Sequence, residues 1–260
     1  MGGRKEAEQG SKAEVKLIKY FNDASNKMKL VECSKKLGIN LPSSFYVLKP
    51  QNRVKCDIAI KAQGLASSGQ QVCISLKTVT NASFHQLDRR WLDEWRSKLE
   101  MPNEVYEILW EAILRKARAE SGNRKAVFIP PEHRKVVGEF IKSKLDVIIR
   151  EVFVKDEADV KILAIWDRTT RGGGELCLFN MDDVISFLSR QEVSFSEEGI
   201  VRIGKYVTMQ RKGGDGSHVK VPKDDPKHPG NQLQFKFKPL EFMNDMKGKI
   251  RSCCIRVADP

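Results

Sequence analysis

The spacing of apolar residues predicts two helices at the start of the chain. Val15, Leu17, Ile18 and Phe21 recur at helical intervals after Ser11, which is a suitable N-cap. The stretch NKMKLVECSKKLG predicts a second helix that stops at its glycine.

A change to alternating apolar and polar positions predicts a β-hairpin next. In RVKCDIAIKAQG, the apolar residues lie on one face of a strand and Asp57 on the other. QQVCISLKTVT predicts a second strand, and LASSG predicts the turn between the two.

Longer apolar periods return after the hairpin. FHQLDRRWLDEWRSKL places Leu87, Trp91 and Trp95 four residues apart, which predicts an amphipathic helix, and a further helix follows Pro102. Two strands around RTTRGGG and a β-rich C-terminal part come later. This order favours an α+β fold with a mixed sheet flanked by helices over regular βαβ winding.

Charge suggests a polyanionic partner. The formal net charge is +12 and the isoelectric point about 9.4. The segment from Val201 to Pro260 has 13 Lys and Arg against 6 Asp and Glu, a net charge of +7. A nucleic acid would be attracted to such a surface, although a solvated basic face explains the same composition.

The cysteines and the apolar runs argue against a zinc protein, a disulfide-rich protein, a secreted protein and a membrane protein. The six cysteines include no CxxC pair, and with four histidines they favour reduced thiols over a zinc site or a disulfide framework. No secretory leader is recognisable, and no apolar run reaches the 18 residues of a membrane span. We therefore expect a cytoplasmic protein with no membrane partner.

The predicted hairpin carries the candidate chemistry. Asp57 lies on one strand, and Ser75 and Lys77 share a face of the other. Hydrolysis of a phosphodiester needs an oxygen ligand for Mg²⁺ and a cation or base beside the attacking water. An acid and a lysine on adjacent strands supply both, although solvated surface residues give the same pattern.

Three motifs resemble those of known nucleases. CD…SLK resembles the divided active site of the PD-(D/E)XK nucleases. FHQLDRRWL and VTMQRKGGD…NQLQFKFKPLEF resemble segments of the small type II restriction endonucleases that cut GCGC and, more distantly, MspI. The resemblance is collinear from about Gly10 to Phe242, and QRKGGD followed by LQFK is its most specific part.

The resemblance implies the roles of the catalytic residues. Asp57 matches the metal-binding aspartate and Lys77 the catalytic lysine. Ser75 stands where the superfamily usually has Glu or Asp, so the metal site has one fewer negative charge. The carbonyl of Leu76 could supply another ligand for Mg²⁺, and Glu14 in the first helix could face the metal, although a solvated acid there is the alternative.

The DNA contacts come partly from the resemblance and partly from side-chain chemistry. Gln86 matches a base-contacting glutamine, and Arg89 and Arg90 suit phosphate. The other candidates are polar groups of the C-terminal part that suit base edges, together with a polar strand face: Gln210, Arg211, Lys212, Asp215, Gln232, Gln234, Lys236 and Lys238. Gly213 and Gly214 remove side chains that would keep the backbone out of a groove.

Together these features predict a monomeric, Mg²⁺-dependent type II restriction endonuclease acting on double-stranded DNA. We expect a PD-(D/E)XK nuclease core, with a nuclease part over residues 1–122 and a β-rich recognition part over residues 123–260. GCGC is the first choice of target and CCGG the second. Two alternatives remain open: a DNA-binding protein with a degenerate nuclease site, and a repair or structure-specific nuclease.

Overall fold

A computed structural model gives the architecture. It describes residues 2–51, 53, 55–63, 71–81, 84–169, 174–214 and 219–258, with side chains from residue 10 onward. The helices are α1 (Gly2–Asn22), α2 (Ala24–Lys36), α3 (Leu92–Leu99), α4 (Asn103–Ser121), α5 (Arg134–Ser143), α6 (Leu145–Phe153), α7 (Met181–Leu188) and α8 (Pro239–Met246).

The strands fall into two sheets. They are β1 (Phe45–Leu48), β2 (Ile58–Ala62), β3 (Gln71–Val79), β4 (His85–Arg90), β5 (Val160–Asp167), β6 (Gly174–Asn180), β7 (Val193–Phe195), β8 (Val201–Ile203), β9 (Val207–Arg211), β10 (Leu233–Phe237) and β11 (Ser252–Val257). The first sheet has the order β1-β2-β3-β5-β6-β11, and the second has the order β4-β10-β9-β8-β7.

Each sheet belongs to one of two compact units that interleave along the chain. The first unit contains Met1–Ser83, Phe153–Phe187 and Pro239–Pro260, and the second contains Phe84–Val152 and Leu188–Lys238. The division of nuclease and recognition roles along the chain stays a prediction about function.

The sheet of the first unit is mixed. Strands β3 and β5 pair in parallel, whereas the other neighbours pair antiparallel. One face of this sheet is covered by α1 and α2, whose apolar residues repeat at helical spacing, as Ala13, Leu17 and Phe21 do. These side chains pack against alternate residues of the strands, including Ile74, and form a continuous core.

The predicted hairpin is confirmed as the antiparallel pair β2 and β3. Its first strand begins at Ile58, so Asp57 lies immediately before the strand and not within it. The N–H group of Asp57 still donates to the carbonyl of Ile74 at 3.0 Å, which continues the pairing by one residue.

The expectation of reduced cysteines is wrong in this structure. The six cysteines form three disulfides, Cys33–Cys253, Cys56–Cys73 and Cys177–Cys254. The first and third join residues 220 and 77 positions apart. Such partners become neighbours only once the sheet has formed, so their spacing in the sequence gave no sign of pairing.

No helix in the described part of the chain has both the length and the apolar character needed to cross a membrane.

Candidate active site and nucleic-acid interface

The register of β2 and β3 brings Asp57 to Ser75. Ile58 lies opposite Ile74, so Asp57 and Ser75 are the next facing positions, whose side chains share one face. The carboxylate oxygen Oδ2 of Asp57 accepts the N–H of Leu76 at 2.6 Å. The hydroxyl of Ser75 donates to the same oxygen at 3.4 Å. The carboxylate is therefore fixed by the strand that carries the other candidate residues.

Lys77 completes the cluster. Its ammonium Nζ donates to Ser75 Oγ and to the carbonyl oxygen of Leu76, both at 3.3 Å. Ser75 is buried, whereas Asp57 and Lys77 are half-buried and so retain access to solvent. The structure thus brings together the four groups that the sequence pointed to: a carboxylate, a hydroxyl, a carbonyl and an ammonium.

The donor set of this cluster fits Mg²⁺. Asp57, Ser75 and the Leu76 carbonyl all offer oxygen, which is the ligand atom that Mg²⁺ prefers. Mg²⁺ also retains several waters and is commonly bound by one or two carboxylates together with substrate phosphates. A cluster with one carboxylate is consistent with a metal that the substrate helps to bind.

Glu14 is engaged elsewhere. Its carboxylate forms an ion pair with Lys49 at 2.7 Å. The ion-pair partner of Glu14 is thus Lys49 and not Lys77 of the cluster. A role for Glu14 at the metal stays a prediction without a contact to support it.

Glu157 fixes the segment that leads into Asp57. Its oxygen Oε2 accepts the N–H groups of Lys55 at 3.1 Å and Cys56 at 2.9 Å. Arg53 Nε lies 3.2 Å from the same oxygen. The disulfide to Cys73 ties Cys56 to β3 as well. Asp57 therefore follows a backbone that is held on two sides.

Asp159 extends this network. Arg53 makes a two-pronged contact with its carboxylate, and Gln71 Nε2 donates to Oδ2 at 2.7 Å. Burial opposes ionisation of Asp159, but the hydrogen bonds from Arg53 and Gln71 outweigh it and hold its pKa below the ordinary value. Sequence reasoning missed Glu157 and Asp159, which lie about a hundred positions from the residues that they orient.

The polar residues of the second sheet share one face. Gln234 on β10 lies opposite Gln210 on β9 and Arg89 on β4. Lys236 lies opposite Gln86. Gln234 Nε2 donates to Gln86 Oε1 at 2.7 Å, which leaves the amide NH₂ of Gln86 for other partners. We call these residues, together with Lys212 and Gln232 at the strand ends, the polar face.

The helix predicted over Gln86, Arg89 and Arg90 is wrong. These residues form β4, and the helix α3 begins only at Leu92. The four-residue spacing of Leu87, Trp91 and Trp95 imitates a helix, but Leu87 lies at an irregularity in the pairing of β4 with β10. Pairing with β10 overrode the local helical pattern.

Arg90 lies on the other face of β4. Its Nε is 2.8 Å from Asp88 Oδ2, and its Nη1 is 2.6 Å from Glu151 Oε1. The guanidinium also lies 4.8 Å from the centre of the Trp95 ring. Burial lowers the pKa of Arg90, but the hydrogen bond to Glu151 and the charges of Asp88 and Glu151 outweigh burial. The pKa of Arg90 is therefore raised above its ordinary value. These ion pairs do not support the expectation that Arg90 contacts phosphate, because two acids already pair with it.

Arg211 is also turned away from the polar face. Only 4% of the residue is exposed. Its Nη1 lies 2.7 Å from Glu120 Oε2, and its Nε donates to Asn231 Oδ1 at 2.8 Å. This burial and these contacts do not support the expectation that Arg211 reads bases. It joins α4 to β9 and to the 3₁₀ turn Pro229–Asn231.

Lys212 remains on the polar side. Its backbone N–H donates to the carbonyl of Gln232 at 2.8 Å, and its side chain is half-buried. Burial lowers the pKa of Lys212, and the positive charges of Arg89 and Arg211 lower it further. Arg89 and Lys212 thus form a cationic patch that an anion would stabilise.

Gly213 and Gly214 have φ of +65° and +64°, a conformation that suits glycine. The predicted contact residue Asp215 lies outside the described residues.

The comparisons with known proteins agree with this architecture. No protein-family model and no curated protein matches the sequence. Among solved structures, one similar fold is that of a restriction endonuclease. The crystal structure of restriction endonuclease MspI in complex with its cognate DNA is similar with a TM-score of 0.53 and 15% identity, covering 85% of this chain and 82% of that chain. The likeness establishes the fold and confirms the predicted α+β architecture, with a mixed sheet flanked by helices.

We predict that Glu157→Ala weakens binding of Mg²⁺ about tenfold to a hundredfold, the usual effect of removing a group that orients a metal ligand. The change leaves two backbone N–H groups and the Nε of Arg53 without this carboxylate, while the other arm of Arg53 keeps Asp159. Isothermal titration calorimetry measures the affinity, and circular dichroism checks the fold. Glu32→Ala on α2 is the matched control, because Glu32 is exposed. Unchanged metal affinity in a folded Glu157→Ala protein would show that this carboxylate does not position Asp57.

We predict that Arg211→Ala lowers the free energy of unfolding by about 2–3 kcal/mol, somewhat less than the loss of one partner of a fully buried pair, because Glu120 is partly exposed. Asn231 also loses its donor. Urea denaturation measures the difference. Arg202→Ala, at an exposed position on β8, should change stability little. Equal stability of the two variants would contradict the structural role of Arg211.

Proposed function

We propose that this protein is a Mg²⁺-dependent type II restriction endonuclease that hydrolyses double-stranded DNA at a short G/C palindrome. The observation that carries the proposal is the convergence of Asp57, Ser75, the Leu76 carbonyl and Lys77 within hydrogen-bonding distance. They converge on a fold similar to that of a restriction endonuclease whose structure was solved with DNA.

The residues of the chain divide the work of the reaction. Asp57 and the Leu76 carbonyl would hold Mg²⁺, which would act there as a Lewis acid and activate water for hydrolysis. The N–H of Leu76 keeps the Asp57 carboxylate oriented. Ser75 and the Leu76 carbonyl position the Lys77 ammonium, whose charge stabilises the negative charge that develops on the phosphate.

Ser75 makes this site less negative than a usual one of its class. With a neutral hydroxyl in place of a second carboxylate, the protein contributes one formal charge through Asp57. The phosphate of the substrate then supplies part of the charge that retains the metal. We infer that the protein binds Mg²⁺ weakly when DNA is absent and more tightly when DNA is bound.

The polar face would contact the DNA. Glutamine amides both donate and accept, so Gln86 and Gln210 suit base edges in the major groove. The cations Arg89 and Lys212 suit guanine O6 and N7 as well as phosphate. With Arg211 buried, these two cations take over the reading of guanine in our proposal, with GCGC as the first target and CCGG as the second.

A second candidate function is specific DNA binding without cleavage. It is favoured by one observation, the neutral Ser75 in the position where nucleases of this class usually have an acid. The polar face would serve this function equally well, so only a cleavage assay distinguishes the two functions.

We propose that the active species is a monomer.

We predict that Asp57→Asn and Lys77→Ala each abolish detectable cleavage while specific DNA binding in Ca²⁺ stays within a few-fold of the wild type. Loss of a metal ligand or of the cation beside the phosphate costs several kcal/mol in the transition state. Cleavage of a labelled duplex under single-turnover conditions measures the chemical step. The matched control is Asp182→Asn on α7, an exposed carboxylate of the same unit. Cutting by Asp57→Asn at a rate near that of the wild type would remove this cluster from the reaction.

We predict that Lys212→Ala weakens binding to the target duplex about tenfold to a hundredfold, since one good base contact discriminates by roughly 1–3 kcal/mol. Binding to a scrambled duplex should fall far less. Fluorescence anisotropy on both duplexes measures the difference. Lys205→Ala, an exposed lysine between β8 and β9, is the control. An equal loss on both duplexes would mean that Lys212 contacts phosphate and does not specify the sequence.

A further inference from the structure

A basic pocket lies at the C-terminal end of α4, within the second unit. Its volume is about 260 Å³. Four cations and two alanines line it: Arg115, Arg118, Ala119, Arg124, Lys125 and Ala126. No acidic side chain is among these lining residues, although the second unit contains many acids elsewhere.

The turn after α4 creates this pocket. Asn123 has a φ of +52°, which reverses the chain so that Arg124 and Lys125 return beside the last turns of the helix. The backbone N–H groups of Gly122, Asn123 and Arg124 donate to the carbonyls of Arg118, Glu120 and Ala119. The carbonyls of Arg118, Ala119 and Glu120 are thus already satisfied, so the cations are not needed to cap these three.

The cations of the pocket have few partners in the described chain. Arg115 Nη2 donates to the carbonyl of Phe128 at 2.9 Å, but its Nε is buried and has no hydrogen-bond partner among the described residues. Arg118 meets Glu111 at 3.3 Å, and both side chains are more than half exposed, so this pair is weak. A buried donor without a partner normally has an unseen one.

We propose that this pocket binds a phosphate group. Arginine forks match the oxygens of a phosphate, and a buried guanidinium donor gains most from such a partner. The pocket adjoins Glu120, which contacts Arg211 at the end of β9, and Gly213 lies against the same carboxylate. DNA that binds the polar face and runs on past the loop at Gly213 would offer a backbone phosphate of its flank to this pocket. The assignment of DNA as the source of the phosphate rests on the proposed function, whereas the chemistry of the pocket does not.

The first test measures DNA binding against salt concentration. The double variant Arg124→Gln/Lys125→Gln should make the salt dependence shallower by about one phosphate contact, equally on target and scrambled duplexes. The effect should appear on a long duplex with flanks and vanish on a short one that ends close to the target site. Cleavage at saturating DNA should not change. Lys135→Gln/Lys142→Gln, which removes the same charge from exposed positions of α5, should leave the slope unaltered.

The second test uses inorganic phosphate with the intact wild-type protein. Nuclear magnetic resonance of the arginine Nε–H groups should show the Arg115 signal shifting during a phosphate titration, and the double variant should abolish the shift. This titration tests phosphate binding by the pocket without any DNA. If the protein neither binds nor cuts DNA but the shift is seen, the proposed function is overturned and the phosphate site is not. A phosphate-dependent shift with an unchanged salt slope would overturn DNA as the source. Absence of both the shift and the slope change would overturn the phosphate site itself.

Discussion

The antiparallel register of β2 and β3 is the constraint on which the candidate active site depends. It places Asp57 opposite Ser75 and brings the N–H of Leu76 to the Asp57 carboxylate at 2.6 Å. A shift of one residue would turn either Asp57 or Lys77 to the face that α1 and α2 cover. The parallel pairing of β3 with β5 fixes the same strand from its other side. The chemistry is thus assembled by the pairing of the sheet and not by a flexible loop.

The second unit divides its cations by strand alternation. Arg89 and Arg90 are adjacent in sequence, as are Arg211 and Lys212. In each pair one residue, Arg89 or Lys212, lies on the polar face. The other residue forms ion pairs with acidic side chains of the protein. Arg90 meets Asp88 and Glu151, and Arg211 meets Glu120. The buried members stiffen the sheet, and the others leave positive charge where an anion can approach. Removing Arg211 would cost Glu120 this ion pair, whereas Glu151 would keep Lys98 at 3.1 Å if Arg90 were removed.

The sequence predicted the parts of the site that depend on local alternation. The β2–β3 pair and the grouping of Asp57, Ser75 and Lys77 follow from a period of two and a turn. The apolar and polar faces of β10 follow in the same way, although Gln234 on the polar face is buried and Lys236 is half-buried. The choice between strand and helix failed at Gln86–Arg90, because Leu87 occupies an irregular position that a regular period cannot anticipate.

Other features could not be read from the chain because they join distant segments. Glu157 orients residues about a hundred positions earlier, and Cys33 pairs with Cys253. The burial of Arg211 depends on Glu120, 91 positions away. Side-chain chemistry suggested Arg211 as a DNA-contacting cation. Whether its charge is available to DNA depends on Glu120, which pairs with it from a distant part of the sequence.

The most direct test of the central claim is incubation of the purified wild-type protein with plasmid DNA and Mg²⁺. We predict discrete fragments whose ends map to one short G/C palindrome and which disappear when the metal is chelated. Specific retention of the intact plasmid without cleavage would contradict the assignment of Asp57, Ser75 and Lys77 as a working nuclease site. A continuous smear of fragments would contradict recognition of a defined sequence by the polar face.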